Sequence, residues 1–111
     1  MAVHLGEVTG YKVIVGFNEF CAPSVGEALD DAVTQSAEKV IVITPMMTQG
    51  GEHAEADIPA AICRARQRHP HTLMIYAWPF EVVDVARFLA AQVARFVDAD
   101  IPQQPTLVAE S

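Results

Sequence analysis

The stretch Gly50-Gly51-Glu52-His53-Ala54-Glu55-Ala56-Asp57-Ile58-Pro59 sets one histidine in a glycine-rich turn, four residues ahead of an Asp-Ile-Pro helix start. A histidine in that place can ligate a divalent ion or move a proton near neutral pH. Gly50 and Gly51 let backbone approach a ligand closely, and the helix start beside them favours negative charge. His53 is therefore the first candidate for metal binding or catalysis. The competing assignment is a turn histidine bonded to local backbone.

Two further positions carry usable chemistry. Glu19 can accept a proton or complete a metal shell, although carboxylates at helix starts are also ordinary caps. Trp78 ends an apolar run and offers a flat face. Glu52 and Glu55 flank His53 and read as solvated turn charges, and Asp57 reads as a helix cap rather than a ligand. Met46 and Met47 supply too few soft ligands for a copper site and read as packing groups. His4 sits in an unpatterned N-terminus. His69 and His71 straddle Pro70 at a helix end, where an imidazolium suits the dipole.

Three short, β-branched runs would position these groups. They are Lys12-Val13-Ile14-Val15-Gly16-Phe17, Lys39-Val40-Ile41-Val42-Ile43-Thr44 and Thr72-Leu73-Met74-Ile75-Tyr76-Ala77. Helical patterns separate them. Ser24 and Glu27 form an S-x-x-E capping box, followed by Val25, Ala28, Leu29, Ala32 and Val33 at helical spacing. Asp57 opens a second helix with Pro59 in its first turn, a stripe of Ile58, Ala61, Ile62 and Ala65, and an end at His69-Pro70. In the last helix Val82, Val85, Ala86, Leu89, Val93, Phe96 and Val97 share one face. The order predicts an α/β fold, a small parallel sheet with flanking helices. Ligands bind such sheets at the carboxyl ends of the strands. Glu19, His53 and Trp78 each follow one such end.

Composition sets the bounds. The 111 residues suit one domain, read as residues 1–100 with a loose tail at 101–111, and 51% hydrophobic content is ample for a core. No apolar run reaches the roughly 20 residues a membrane span needs, and no signal peptide is evident. A cytoplasmic protein is expected. Seven Lys+Arg against fourteen Asp+Glu give a net charge of −7, which opposes nucleic-acid binding and docking on an anionic membrane. Cys21 and Cys63 form no C-x-x-C pair and read as small buried hydrophobes.

The loops at the sheet edge also carry a resemblance. Phe17-Asn18-Glu19-Phe20-Cys21-Ala22-Pro23-Ser24 is similar to the F-x-E-x-x-x-P-S stretch of the small single-domain class II chelatases, the sirohydrochlorin cobalto-, nickel- and ferrochelatases. Pro45 to His53 resembles their P-(L/M)-(F/M)-x-x-x-G-x-H element, Asp57-Ile58-Pro59 the D-I-P that follows, and Arg66-Gln67-Arg68-His69-Pro70 the basic close of that helix. The similarity covers about residues 11–97. It implies a chelatase-like three-layer sandwich related to the Rossmann type, and insertion of cobalt, nickel or iron into a sirohydrochlorin-type tetrapyrrole, as in cobalamin biosynthesis. The divalent metal is then substrate, with no organic cofactor.

By the same resemblance His53 is metal ligand or base and Glu19 assists, while Gly50, Gly51 and Trp78 line the macrocycle. Arg64, Arg66 and Arg68 would clamp substrate carboxylates, against the simpler assignment of a solvated helix face. A non-catalytic metal- or tetrapyrrole-binding relative is the alternative. The family's opening strand, ending in G-H-G-S with its own histidine, has no counterpart in the motifs, and ten residues cannot hold a strand plus a crossover helix. An apolar sheet face is then expected to stand partly bare, and a homodimer to cover it.

Overall fold

The structure, a computed structural model, describes residues 1–17, 22–47, 49–97 and 106–109. The chain divides into two compact units, Met1–Pro79 and Phe80–Ser111. The first holds α1 (Ala2–Thr9), α2 (Val25–Thr34), β1 (Lys39–Val42), a π-helical turn at His53–Asp57 running straight into α3 (Ile58–Arg68), and β2 (Leu73–Tyr76). The second holds α4 (Val82–Ala94). The architecture is mixed α/β around a small parallel sheet, as the pattern of runs predicts.

β1 and β2 pair in parallel, with Lys39 opposite Leu73 and Val42 opposite Tyr76. One sheet face turns Val40, Val42, Met74 and Tyr76 toward α2 and α3, where Leu29, Ile58, Ile62 and Ala65 complete the core. Every member of the predicted α3 stripe is buried. Ser24 caps α2, its hydroxyl oxygen accepting from Glu27 N–H at 3.1 Å while its O–H meets the Glu27 carboxylate at 3.2 Å. The opposite sheet face stays open, with Ile41, Ile43, Leu73 and Ile75 between 39% and 55% exposed.

Several expectations are corrected. The Lys12–Phe17 run is not a strand: only Phe17 bridges, to Ser24, its N–H bonding the Pro23 carbonyl at 2.8 Å. β-branched residues favour extended backbone, but a strand exists only where a neighbour completes the ladder. The N-terminus instead forms α1, closed by Gly10 at φ 74° with its N–H on the Gly6 carbonyl. No residue of α1 is buried, so it leaves no apolar stripe to read. The other two strands are each four residues long, shorter than their apolar runs. In α4 the apolar stripe is not buried, and Phe96 and Val97 lie beyond the helix end. Cys63 is exposed rather than a small core residue. Cys21 and much of the 101–111 tail lie outside the described residues; 106–109 has no regular structure.

Candidate functional site

His53 opens the π-helical turn, and the helix continues unbroken from there to Arg68. Asp57 therefore does not cap a helix start: its side chain makes no capping bond, because there is no terminus at that point to cap. The carboxylate instead lies beside the histidine, Asp57 Oδ2 to His53 Nδ1 at 3.5 Å. That nitrogen is shielded from solvent and has no hydrogen-bond partner among the described residues. The His53 side chain as a whole is 26% exposed.

A cleft of 530 Å³ runs along this helix, within the ~300–1,000 Å³ usual for small-molecule sites. One wall is a stripe repeating every three to four residues: His53, Asp57, Ala60 and Ala61, Arg64, Arg68. The other wall is the start of α2, with Glu27 and Asp30, and Phe17 closes one side. Gly26, Ala60 and Ala61 supply little side chain, which leaves the width between the charged groups open.

The arginines divide by role. Arg66 donates to the Met74 carbonyl at 2.7 Å. Leu73 and Ala77 send their N–H groups to β1, so by strand alternation Met74 faces the other edge, which the guanidinium blunts. Arg68 places Nε and Nη2 at 3.1 and 3.0 Å from Asp30 Oδ1, and His69 Nε2 reaches the same oxygen at 2.7 Å. All three arginines lie on an exposed helix face as expected, two of them also fastened to the fold, and His69 is a structural partner rather than an incidental residue. Arg64 alone among them makes no ion pair or hydrogen bond within the described residues, and it lines the cleft.

The Asp30 carboxyl is held below its ordinary value of 3.8, first by the His69 hydrogen bond; burial opposes the shift, and Arg68 adds to it. A depressed carboxylate pKa stabilises the fold above the unfolded value, and that stability disappears as pH falls through the folded one. We expect Asp30→Asn to lower the unfolding free energy at pH 7, read by urea, by under about 1 kcal/mol for so exposed a group. The difference from wild type should shrink as pH falls below the ordinary carboxylate value. Equal midpoints at pH 7 would show that the cluster contributes nothing.

The remaining predicted residues gather around the turn, not in the cleft. Gly50 has φ +102°, open to glycine and strained for others, and its N–H donates to the Glu55 carboxylate at 2.7 Å. Glu55, exposed as expected of a turn charge, thus also closes the loop. Side-chain atoms at Gly51 would meet nothing within 4 Å. Trp78 stacks on Tyr76, centroids 5.9 Å apart, and donates its indole N–H to the Met46 carbonyl at 3.2 Å. Tyr76, which the sequence pattern treats only as a strand residue, sends its hydroxyl to the Ala54 carbonyl at 2.9 Å. Burial pushes its phenol up, so it stays a donor. This chain ties the third loop to the backbone next to His53. A tyrosine at a strand end is the signal that could have found it, because a buried hydroxyl must find an acceptor. Glu19 lies outside the described residues, and among those described no group of three or more His, Cys, Asp or Glu is placed to hold a metal ion.

Similarity to known proteins agrees with the motifs. The CbiX family model matches residues 1–95, starting at the first residue rather than at residue 11 and so including α1. A sirohydrochlorin cobaltochelatase of Priestia megaterium is 37% identical over 70 residues, 63% of this chain and 22% of that protein. A sirohydrochlorin ferrochelatase of the same organism is 28% identical over 68 residues, 61% of this chain and 25% of the relative. A sirohydrochlorin cobaltochelatase of Methanopyrus kandleri is 33% identical over 60 residues, 53% and 41% respectively. The matched segments span between 22% and 41% of the length of these curated relatives. The α/β fold, the loop motifs and a match over most of its length together place this chain in the CbiX family of class II chelatases.

Proposed function

We propose that the protein inserts a divalent metal ion, cobalt, nickel or iron, into a sirohydrochlorin-type tetrapyrrole, in the cytoplasm and as a step of cobalamin-type cofactor synthesis. His53 acts as metal ligand or as the base that takes a pyrrole proton, with Glu19 assisting. The observation that carries this reading is the place of His53: a partly exposed imidazole at one end of an open cleft, beside a carboxylate. Metal insertion requires the ring to be gripped, two pyrrole N–H protons to leave and the metal to shed water. An imidazole lone pair serves either of the last two steps. Gly50, Gly51 and Trp78 bound the loop side of the same turn and are the proposed contacts for the macrocycle. Arg64, without a partner among the described residues and lining the cleft, suits a substrate carboxylate.

Anaerobic absorbance of sirohydrochlorin mixed with cobalt(II) tests the reading. A rate above the buffer background supports it, and a rate equal to buffer sinks the enzyme. The net charge of −7 favours a second reading, since it repels a carboxylate-rich substrate at low salt. That reading is a relative that binds metal or tetrapyrrole without turnover. A spectral shift on mixing with tetrapyrrole alone, at the buffer rate of insertion, would identify it.

The proposal includes a homodimer. Ile41, Ile43, Leu73 and Ile75 make an apolar patch on a two-stranded sheet, the kind of surface that association usually covers. Light scattering at micromolar concentration should return twice the chain mass, and Ile41→Glu should halve it. A wild-type monomer at that concentration would end this part of the proposal.

A further inference from the structure

His53 Nδ1 is buried, makes no hydrogen bond within the described residues, and faces Asp57 Oδ2 at 3.5 Å. A neutral imidazole has one N–H and one lone pair, and which nitrogen holds the proton follows from the partner of the other. If Nδ1 carried the lone pair, two acceptors would confront each other, and the buried nitrogen would have no water to donate to it. With the proton on Nδ1, the same contact sets an N–H beside a carboxylate, at 3.5 Å too long for a formed hydrogen bond but favourable in charge.

The geometry of Asp57 supports this assignment. Its carboxylate makes no capping bond, its side chain is 54% exposed, and no other ion pair holds it within the described residues. The two residues are the first and last of the π-helical turn, an element that is rare and occurs often at functional sites. Within this cleft the charged groups of the facing wall, Glu27 and Asp30, are engaged by Ser24 and by Arg68 with His69. Asp57 is left to the histidine.

We propose that Asp57 is a positioning residue: it holds the proton on Nδ1 of His53 and so presents Nε2 with a free lone pair to metal or pyrrole N–H. The inference rests on the reading of His53 as the acting group and names the residue that prepares it. Carboxylates behind metal-binding histidines set ring orientation and basicity in this way.

Isotope-labelled histidine distinguishes the tautomers by nuclear magnetic resonance. It needs neither metal nor tetrapyrrole and is recorded at about pH 9, above the ordinary histidine range. Wild type should show His53 mainly as the Nδ1–H form. Asp57→Ala should shift it toward the Nε2–H form, and Asp57→Asn, which keeps an acceptor oxygen, should restore part of the wild-type signal. A wild-type His53 mainly in the Nε2–H form, or a tautomer ratio unmoved in Asp57→Ala, overturns the inference. The wild-type spectrum alone can do so, whatever the variants' stability. Failure of metal insertion by wild type would instead remove the chelatase reading and leave the tautomer assignment standing.

Discussion

If the proposed function holds, His53→Ala should reduce cobalt(II) insertion into sirohydrochlorin to the buffer rate, a loss of at least about 100-fold. Removing the imidazole deletes either a metal ligand or a proton acceptor, and no second histidine lines the cleft among the described residues. Neighbouring carboxylates do not substitute. Asp57 lies behind the ring at Nδ1, and Glu27 and Asp30 are engaged on the opposite wall. The fold should survive, because His53 is partly exposed and is not part of the buried cluster. Circular dichroism and a urea midpoint within about 0.5 kcal/mol of wild type would establish that, the range of ordinary surface substitutions. Added imidazole should restore part of the rate, since truncation at an open cleft leaves a site that solvent can fill. A His53→Ala protein that retains the wild-type rate would make His53 a turn histidine and move the chemistry elsewhere.

What could be read from the sequence divides along a physical line. Local signals were legible. The capping box at Ser24 depends on residues three apart, and the α3 stripe records a single buried face, so Ile58, Ala61, Ile62 and Ala65 are all buried as their spacing predicts. Non-local facts were not. Lys12–Phe17 has the composition of a strand, but no composition reports whether a neighbouring strand is present to pair with it. α1 buries nothing and so writes no pattern.

At the site, residue type and turn context single out His53 only as a candidate, whereas the loop motifs identify the family. The D-I-P pattern gives Asp57 the look of a cap because it has the composition of a helix start. Once the π-helical turn carries the helix back past His53, the same four-residue spacing becomes a side-chain pair. The Arg68–Asp30–His69 cluster joins residues 38 and 39 apart, a separation at which sequence spacing carries no geometric information. Arg64 differs from its neighbours Arg66 and Arg68 only through such distant partners, so the three looked alike until their contacts were known.

Ile62→Ala should cost about 3–4 kcal/mol, the upper part of the range for emptying a buried aliphatic site. Ile62 is 2% exposed and is, with Met74, one of the largest fully buried side chains described. Around it the buried hydrophobic set is thin: besides Leu29, Ile58 and Met74 it consists of alanines. Alanines have no longer side chains to swing into the void. The helix bearing Ile62 is fastened at its C-terminal end, by Arg66 on β2 and by Arg68 and His69 on α2, and the turn before it by the Tyr76 hydroxyl on the Ala54 carbonyl. The site therefore collapses little, and cavity cost adds to the lost transfer energy. Against a total stability of about 5–15 kcal/mol for a domain, one such truncation removes a large share. Urea unfolding should show a lower midpoint with unchanged slope, and Ile62→Val should cost about 1 kcal/mol. Ile41→Ala makes the same truncation where the side chain is 51% exposed, so at concentrations too low for association it should cost much less. Equal losses at the two positions would mean that the open sheet face is covered in solution, and the stabilising core would then extend across both sides of the sheet. A chelatase assay on the folded fraction of Ile62→Ala should give the wild-type rate per molecule, because the side chain supports the helix under His53 and does not enter the cleft.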